Sequence, residues 1–98
     1  MAKQVVWTLK AKDELIYILQ YWIDKNKSKN FSIKLNNLIE EQLQLIIEYP
    51  EIGRKTDIPN VYVKIVQKYL LYYTIEDDTI YILTFRHGKK DPKSLNIK

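Results

Sequence analysis

Between residues 54 and 90 of this 98-residue chain, eight side chains have the right chemistry to meet a phosphate or a carboxylate: Arg54, Lys55, Lys64, Lys68, Arg86, His87, Lys89 and Lys90. They are grouped near the end of the sequence. Residues 1–53 carry seven Lys and seven acids and cancel, whereas residues 54–98 carry nine Lys and Arg against five acids, so the whole net charge of +4 lies there. Five of the eight tyrosines fall between Val61 and Pro92, interleaved with these cations. Such a surface favours a nucleic acid or an acidic protein partner, and a solvated Lys-rich surface is the plainer alternative.

Composition excludes several other chemistries. There is no Cys, so a disulfide framework or thiolate metal site is ruled out. The lone His87 argues against a His-built metal centre, and neither a metal nor a cofactor is expected. No apolar run approaches the ~20 residues of a membrane span, and no signal-peptide pattern opens the chain, so a cytoplasmic protein with no membrane partner is expected. The hydrophobic fraction of 46% suffices for a small core, and residues 1–98 are expected to form a single domain.

The elements that must position these groups follow from periodicity. Lys3–Thr8 is short, apolar and rich in β-formers, which predicts a strand, with Thr8 capping the next helix. From Leu9 to about Asn26, Ala11, Leu15, Ile18, Leu19 and Trp22 recur at spacings of three and four, which predicts a helix. Asp13 and Glu14 are expected in its first turn, where the helix dipole favours acids. A second helix is predicted from about Ser28 to Tyr49, its stripe centred on Phe31, Leu35, Leu38, Gln42, Leu45 and Tyr49 and widened by Ile39, Leu43, Ile46 and Ile47, and Pro50 ends it. Glu51–Asn60 is expected to be a loop, with Arg54–Lys55 either solvated or touching a phosphate beside the sheet.

Three strands then follow. Val61–Val66, Tyr69–Ile75 and Ile80–Phe85 alternate, separated by turns at Gln67–Lys68 and Glu76–Thr79. In the third, Ile80, Ile82 and Thr84 are expected on one face. Arg86 and His87, as neighbours on a strand, should point to opposite faces. The expected fold is α+β: a strand, a helical hairpin and a three-stranded antiparallel meander, with the helices packed on one face and Tyr, Lys and Arg on the open one.

In this order and length, VVWTLKAKDEL, YPEIGR, KYLLYYTIEDDTIYIL and HGKKDP resemble the RelE/ParE family of bacterial toxins from type II toxin–antitoxin systems. The resemblance covers nearly the whole chain and implies the same fold, together with a cognate antitoxin that holds the toxin inactive. It also implies one of two targets. One branch cleaves ribosome-bound mRNA without a metal, using basic side chains on the open sheet. The other, ParE, poisons DNA gyrase and lacks that catalytic set. Metal-free RNA cleavage needs a base for the 2′-hydroxyl, an acid for the leaving 5′-oxygen and cations for the phosphorane. Against that requirement, His87 is the candidate acid or base. Arg86 is its catalytic companion, and Arg54, Lys64 and Lys68 could supply further charge. Whether the chain is an enzyme at all stays open. The RNA-cleaving branch commonly has Arg directly after the hairpin Tyr, where this chain has Leu70 after Tyr69. The exit HGKKDP is closer to the ParE-like type. The resemblance therefore favours gyrase, with an mRNA endoribonuclease or a non-toxic binding module as alternatives, and Lys55, Lys89 and Lys90 join the candidate contacts to a target.

Overall fold

A computed structural model describes residues 2–88. The order is β1 (Gln4–Trp7), α1 (Leu9–Asn26), α2 (Asn30–Glu48), β2 (Arg54–Lys55), β3 (Val61–Val66), β4 (Tyr69–Glu76) and β5 (Thr79–His87). The α+β expectation holds, and the antiparallel meander β3–β4–β5 is present. The sheet, however, has five strands in the order β1-β5-β4-β3-β2. β1 lies parallel to β5, Val5 beside Ile80 and Trp7 beside Ile82, because the helical hairpin carries the chain across the sheet before the meander begins. The stretch expected to be a loop contains β2, antiparallel to β3 through Arg54–Val63 and Lys55–Tyr62. Thr56 closes the turn between them: its N–H and its hydroxyl both donate to the Val61 carbonyl, at 3.1 and 2.9 Å.

Helix α1 starts as its capping residue dictates. Thr8 is extended, and its Oγ1 accepts from the Ala11 N–H at 3.2 Å, satisfying one first-turn donor. Because the helix starts at Leu9, Asp13 and Glu14 fall in its second turn rather than the first. Lys27, left-handed at φ 53°, ends it. In α2 the buried line is Ser32, Leu35, Ile39, Leu43 and Ile46, one position away from the predicted centre, so Leu45 and Tyr49 are exposed. Ser32 is small enough to sit against α1 and donates to the Leu19 carbonyl at 2.7 Å.

These helix residues pack on one face of the sheet, against Val66, Tyr69, Leu71, Tyr73, Ile80, Ile82 and Phe85. Each fully buried Leu or Ile contributes roughly 1.5–3 kcal/mol, so this layer is the main driving force for the fold. One alternation differs from the sequence pattern. Tyr73 faces Ile82 and Tyr72 faces Thr84, leaving Leu83 without a partner in the ladder. This bulge reverses the parity of β5. Phe85, not Thr84, continues the core face begun by Ile80 and Ile82.

Candidate functional site

The reversed parity decides where the exit residues go. His87 pairs with Tyr69 and lies on the helix-facing side; Arg86 pairs with Leu70 and lies on the other. Both still line one cleft of about 600 Å³ between α1 and the ends of β4 and β5. Its walls include Asp13, Glu14, Tyr17, Ile18, Tyr21, Trp22, Lys68, Tyr69 and Phe85. Tyr69 is fixed from several sides. Its hydroxyl accepts from the Trp22 indole N–H, its ring stacks on Phe85 at 5.2 Å, and the His87 imidazole meets it edge-on at 5.5 Å. The Gly88 N–H donates to the Lys68 carbonyl at 2.8 Å and so holds the strand exit against the β3–β4 turn.

Arg86 is engaged within the fold. It is only 9% exposed, its Nε donates to Thr84 Oγ1 at 3.3 Å, and Nη2 lies 3.9 Å from Glu14 Oε2. Glu14 Oε1 in turn accepts from the Thr84 hydroxyl at 2.6 Å and from the Phe85 N–H at 3.3 Å. The reason is topological. β1 ends opposite Ile82, so the last residues of β5 have no strand on their outer side. A buried, unpaired backbone N–H is costly, and the carboxylate from α1 supplies the acceptor. Sequence reasoning missed Glu14, Thr84 and Tyr69. A signal existed for Glu14: it lies three residues after Ala11 and four before Ile18, so it is a carboxylate in an otherwise apolar row.

The remaining candidates are elsewhere. Arg54 and Lys55 are exposed on β2, at the far edge of the sheet from β1. Lys64 pairs with Leu71 and lies on the helix-facing side, not on the open face. Lys68 is exposed in the turn before β4. Lys89 and Lys90 lie outside the described residues. The open face carries tyrosines as expected, Tyr72 and Tyr81, and Arg86 turned toward Thr84 and Glu14, but in place of the expected lysines it presents Val63, Ile65, Leu70 and Thr74. Ile65 is 59% exposed, so this is an apolar and aromatic surface with cations at its margins. Among the described residues, the candidate groups that come together, Lys68, Arg86 and His87, do so in the cleft beside α1 rather than on this face.

Among the described residues one titratable group is clearly perturbed. Tyr73 has its pKa raised above 10.0, chiefly by burial, while a hydrogen bond from the Gly53 backbone opposes the shift. Its hydroxyl also donates to the Pro50 carbonyl at 2.8 Å, so it anchors the segment leading into β2. Among the described residues no group of three or more His, Asp or Glu could hold a metal, and no helix is long and apolar enough to cross a membrane.

Comparison with known proteins places this geometry. The sequence model for the ParE toxin of type II toxin–antitoxin system, parDE, matches residues 5–92. A solved structure of the chromosomal ParDE TA system from P. aeruginosa superimposes with a TM-score of 0.74 at 19% identity, covering 91% of this chain and 98% of that one. No curated protein sequence matches the chain.

Proposed function

The chain belongs to the ParE toxin family of type II toxin–antitoxin systems, and from that premise we propose that it inhibits growth by binding DNA gyrase in the cytoplasm and is neutralised by a cognate antitoxin. The observation that supports this reading is the row across the sheet at Leu70. Leu70 is flanked by Ile65 on β3 and Arg86 on β5. An RNA-cleaving sheet would need cations here to hold a phosphate, but the row has two aliphatic side chains and an arginine already engaged by Thr84 and Glu14. A half-apolar surface with a charged margin fits recognition of a folded protein.

The test is gyrase supercoiling with the purified chain. Loss of supercoiling with a trapped cleavage complex is expected; full supercoiling with no trapped complex refutes the gyrase target. One observation favours a second reading. Lys68, Arg86 and His87 line the same cleft, and their side chains include a base and cations. Primer extension on translated mRNA decides this alternative. Cleavage that disappears in His87→Ala supports an endoribonuclease, and cleavage unchanged in both His87→Ala and Arg86→Ala removes these residues from the site. Normal growth on expression without antitoxin would instead identify a non-toxic binding module.

A further inference from the structure

The cleft between α1 and the ends of β4 and β5 has fixed walls. α1 is tied to the sheet at both of its ends: Glu14 accepts from the Thr84 hydroxyl and the Phe85 N–H, and the Trp22 indole N–H donates to the Tyr69 hydroxyl. Residues 14 and 22 lie roughly 12 Å apart along the helix axis. Between them, Tyr17 and Tyr21 line the cleft yet are 72% and 46% exposed, and neither belongs to the buried core. A volume of about 600 Å³ with aromatic walls is that of a small-molecule site. Walls already held in place lower the ordering cost of filling it.

We propose that this cleft binds a small aromatic monoanion, an arylcarboxylate of one or two rings, with its ring against Tyr17, Tyr21 and Trp22 and its carboxylate on Lys68. Charge selects the ligand. Lys68 is exposed, and among the described residues no acid lies within ion-pair reach of it. Arg86, by contrast, is engaged by Glu14 and Thr84. An aromatic cation is disfavoured, because Lys25 Nζ already lies 5.4 Å from the Trp22 ring and 5.7 Å from the Tyr21 ring. A phosphate dianion is disfavoured for the opposite reason, because Asp13 and Glu14 line the same cleft. A single negative charge at the Lys68 end satisfies both conditions: Lys68 adjoins Tyr69, which Trp22 contacts, and the two carboxylates lie at the other end. The site lies beside α1 rather than on the open face, so it stands whether or not gyrase is the target.

The test titrates the full chain with naphthoate by calorimetry and follows the Trp22 indole N–H and the His87 ring by NMR. Controls are naphthylmethylammonium, naphthyl phosphate and decanoate, which change in turn the sign of the charge, its magnitude and the ring. Saturable binding of naphthoate is expected, tighter than that of each control, with shifts at Trp22 and His87. Lys68→Gln should weaken it ~3–10-fold, and Tyr17→Ala should act in the same direction. Lys55→Gln, at the far edge of the sheet, should leave it unchanged. All three positions are exposed, so the variants keep the fold. Lys68→Glu should reverse the preference in favour of the ammonium probe. No saturable binding, no shift at Trp22 and His87, full affinity in Lys68→Gln, or equal weakening by Lys55→Gln would each overturn the proposal. Binding of the ammonium, phosphate or decanoate probe as tight as that of naphthoate would overturn it as well.

Discussion

Replacing Tyr73 by Phe removes one oxygen from the core and leaves the ring packing, including its stack on Tyr62 at 5.5 Å, in place. That oxygen accepts from the Gly53 N–H at 3.0 Å and donates to the Pro50 carbonyl at 2.8 Å. Each bond contributes about 1 kcal/mol net, and an orphaned buried partner costs more. Pro50 and Gly53 are half-buried, so water recovers part of the loss. The expected destabilisation is about 2 kcal/mol. At ~4–8 °C per kcal/mol for a domain of this size, the melting temperature should fall by roughly 8–16 °C. The pH dependence gives an independent check. The folded pKa of Tyr73 is raised above its unfolded value of 10.0. Its contribution is thus fully present below pH 10 and is lost as the pH rises through the folded pKa. Calorimetry and urea denaturation of both proteins, from neutral pH to above 10, measure the difference. The wild type should lose its advantage at the alkaline end. A neutral-pH difference below about 0.5 kcal/mol, with parallel curves above pH 10, would refute this account of how Arg54 and Lys55 are anchored.

The same contact makes Gly53→Ala costly. A Cβ at Gly53 would sit 2.6 Å from the Tyr73 hydroxyl and 3.0 Å from Cε1. The variant should lose about 2 kcal/mol, and the double variant with Tyr73→Phe should lose less than the sum, read by urea denaturation. Glu14→Ala leaves Arg86, the Thr84 hydroxyl and the Phe85 N–H without their acceptor. It should cost about 3 kcal/mol, with faster amide exchange at Phe85 as the local signature. Gln67 takes φ 59° in the β3–β4 turn without being glycine. Gln67→Gly should therefore stabilise by about 0.5–1 kcal/mol, measured as a shift in urea midpoint at unchanged slope.

Much of the architecture was legible in the sequence. Residues 9–26 were bounded correctly because the Thr8 cap and the three–four spacing from Ala11 to Trp22 are local signals, decided within a turn or two of the chain. The hairpin turns expected at Gln67–Lys68 and Glu76–Thr79 were legible for the same reason, the second narrowing to the two residues between β4 and β5, though both contain a residue at positive φ that is not glycine. β2 was not. Two basic residues have no periodicity, and the strand exists only because Thr56 turns the chain back onto Val61.

The candidate site divides along the same line. Sequence alone determined that the net charge lies in residues 54–98, that Leu70 occupies the central position after Tyr69, and that the chain has no thiolate chemistry. These are matters of composition and order, and folding does not change them. Only the tertiary structure decided which of those charges meet. The Leu83 bulge reversed the parity of β5, placed His87 against Tyr69 and sent Arg86 to the other side. The early end of β1 left a backbone N–H that Glu14 satisfies, and the same carboxylate engages Arg86. An inserted residue in a strand has no signature in an alternating apolar pattern, and partners about 70 residues apart in sequence are brought together only by the packing of a helix on a sheet edge.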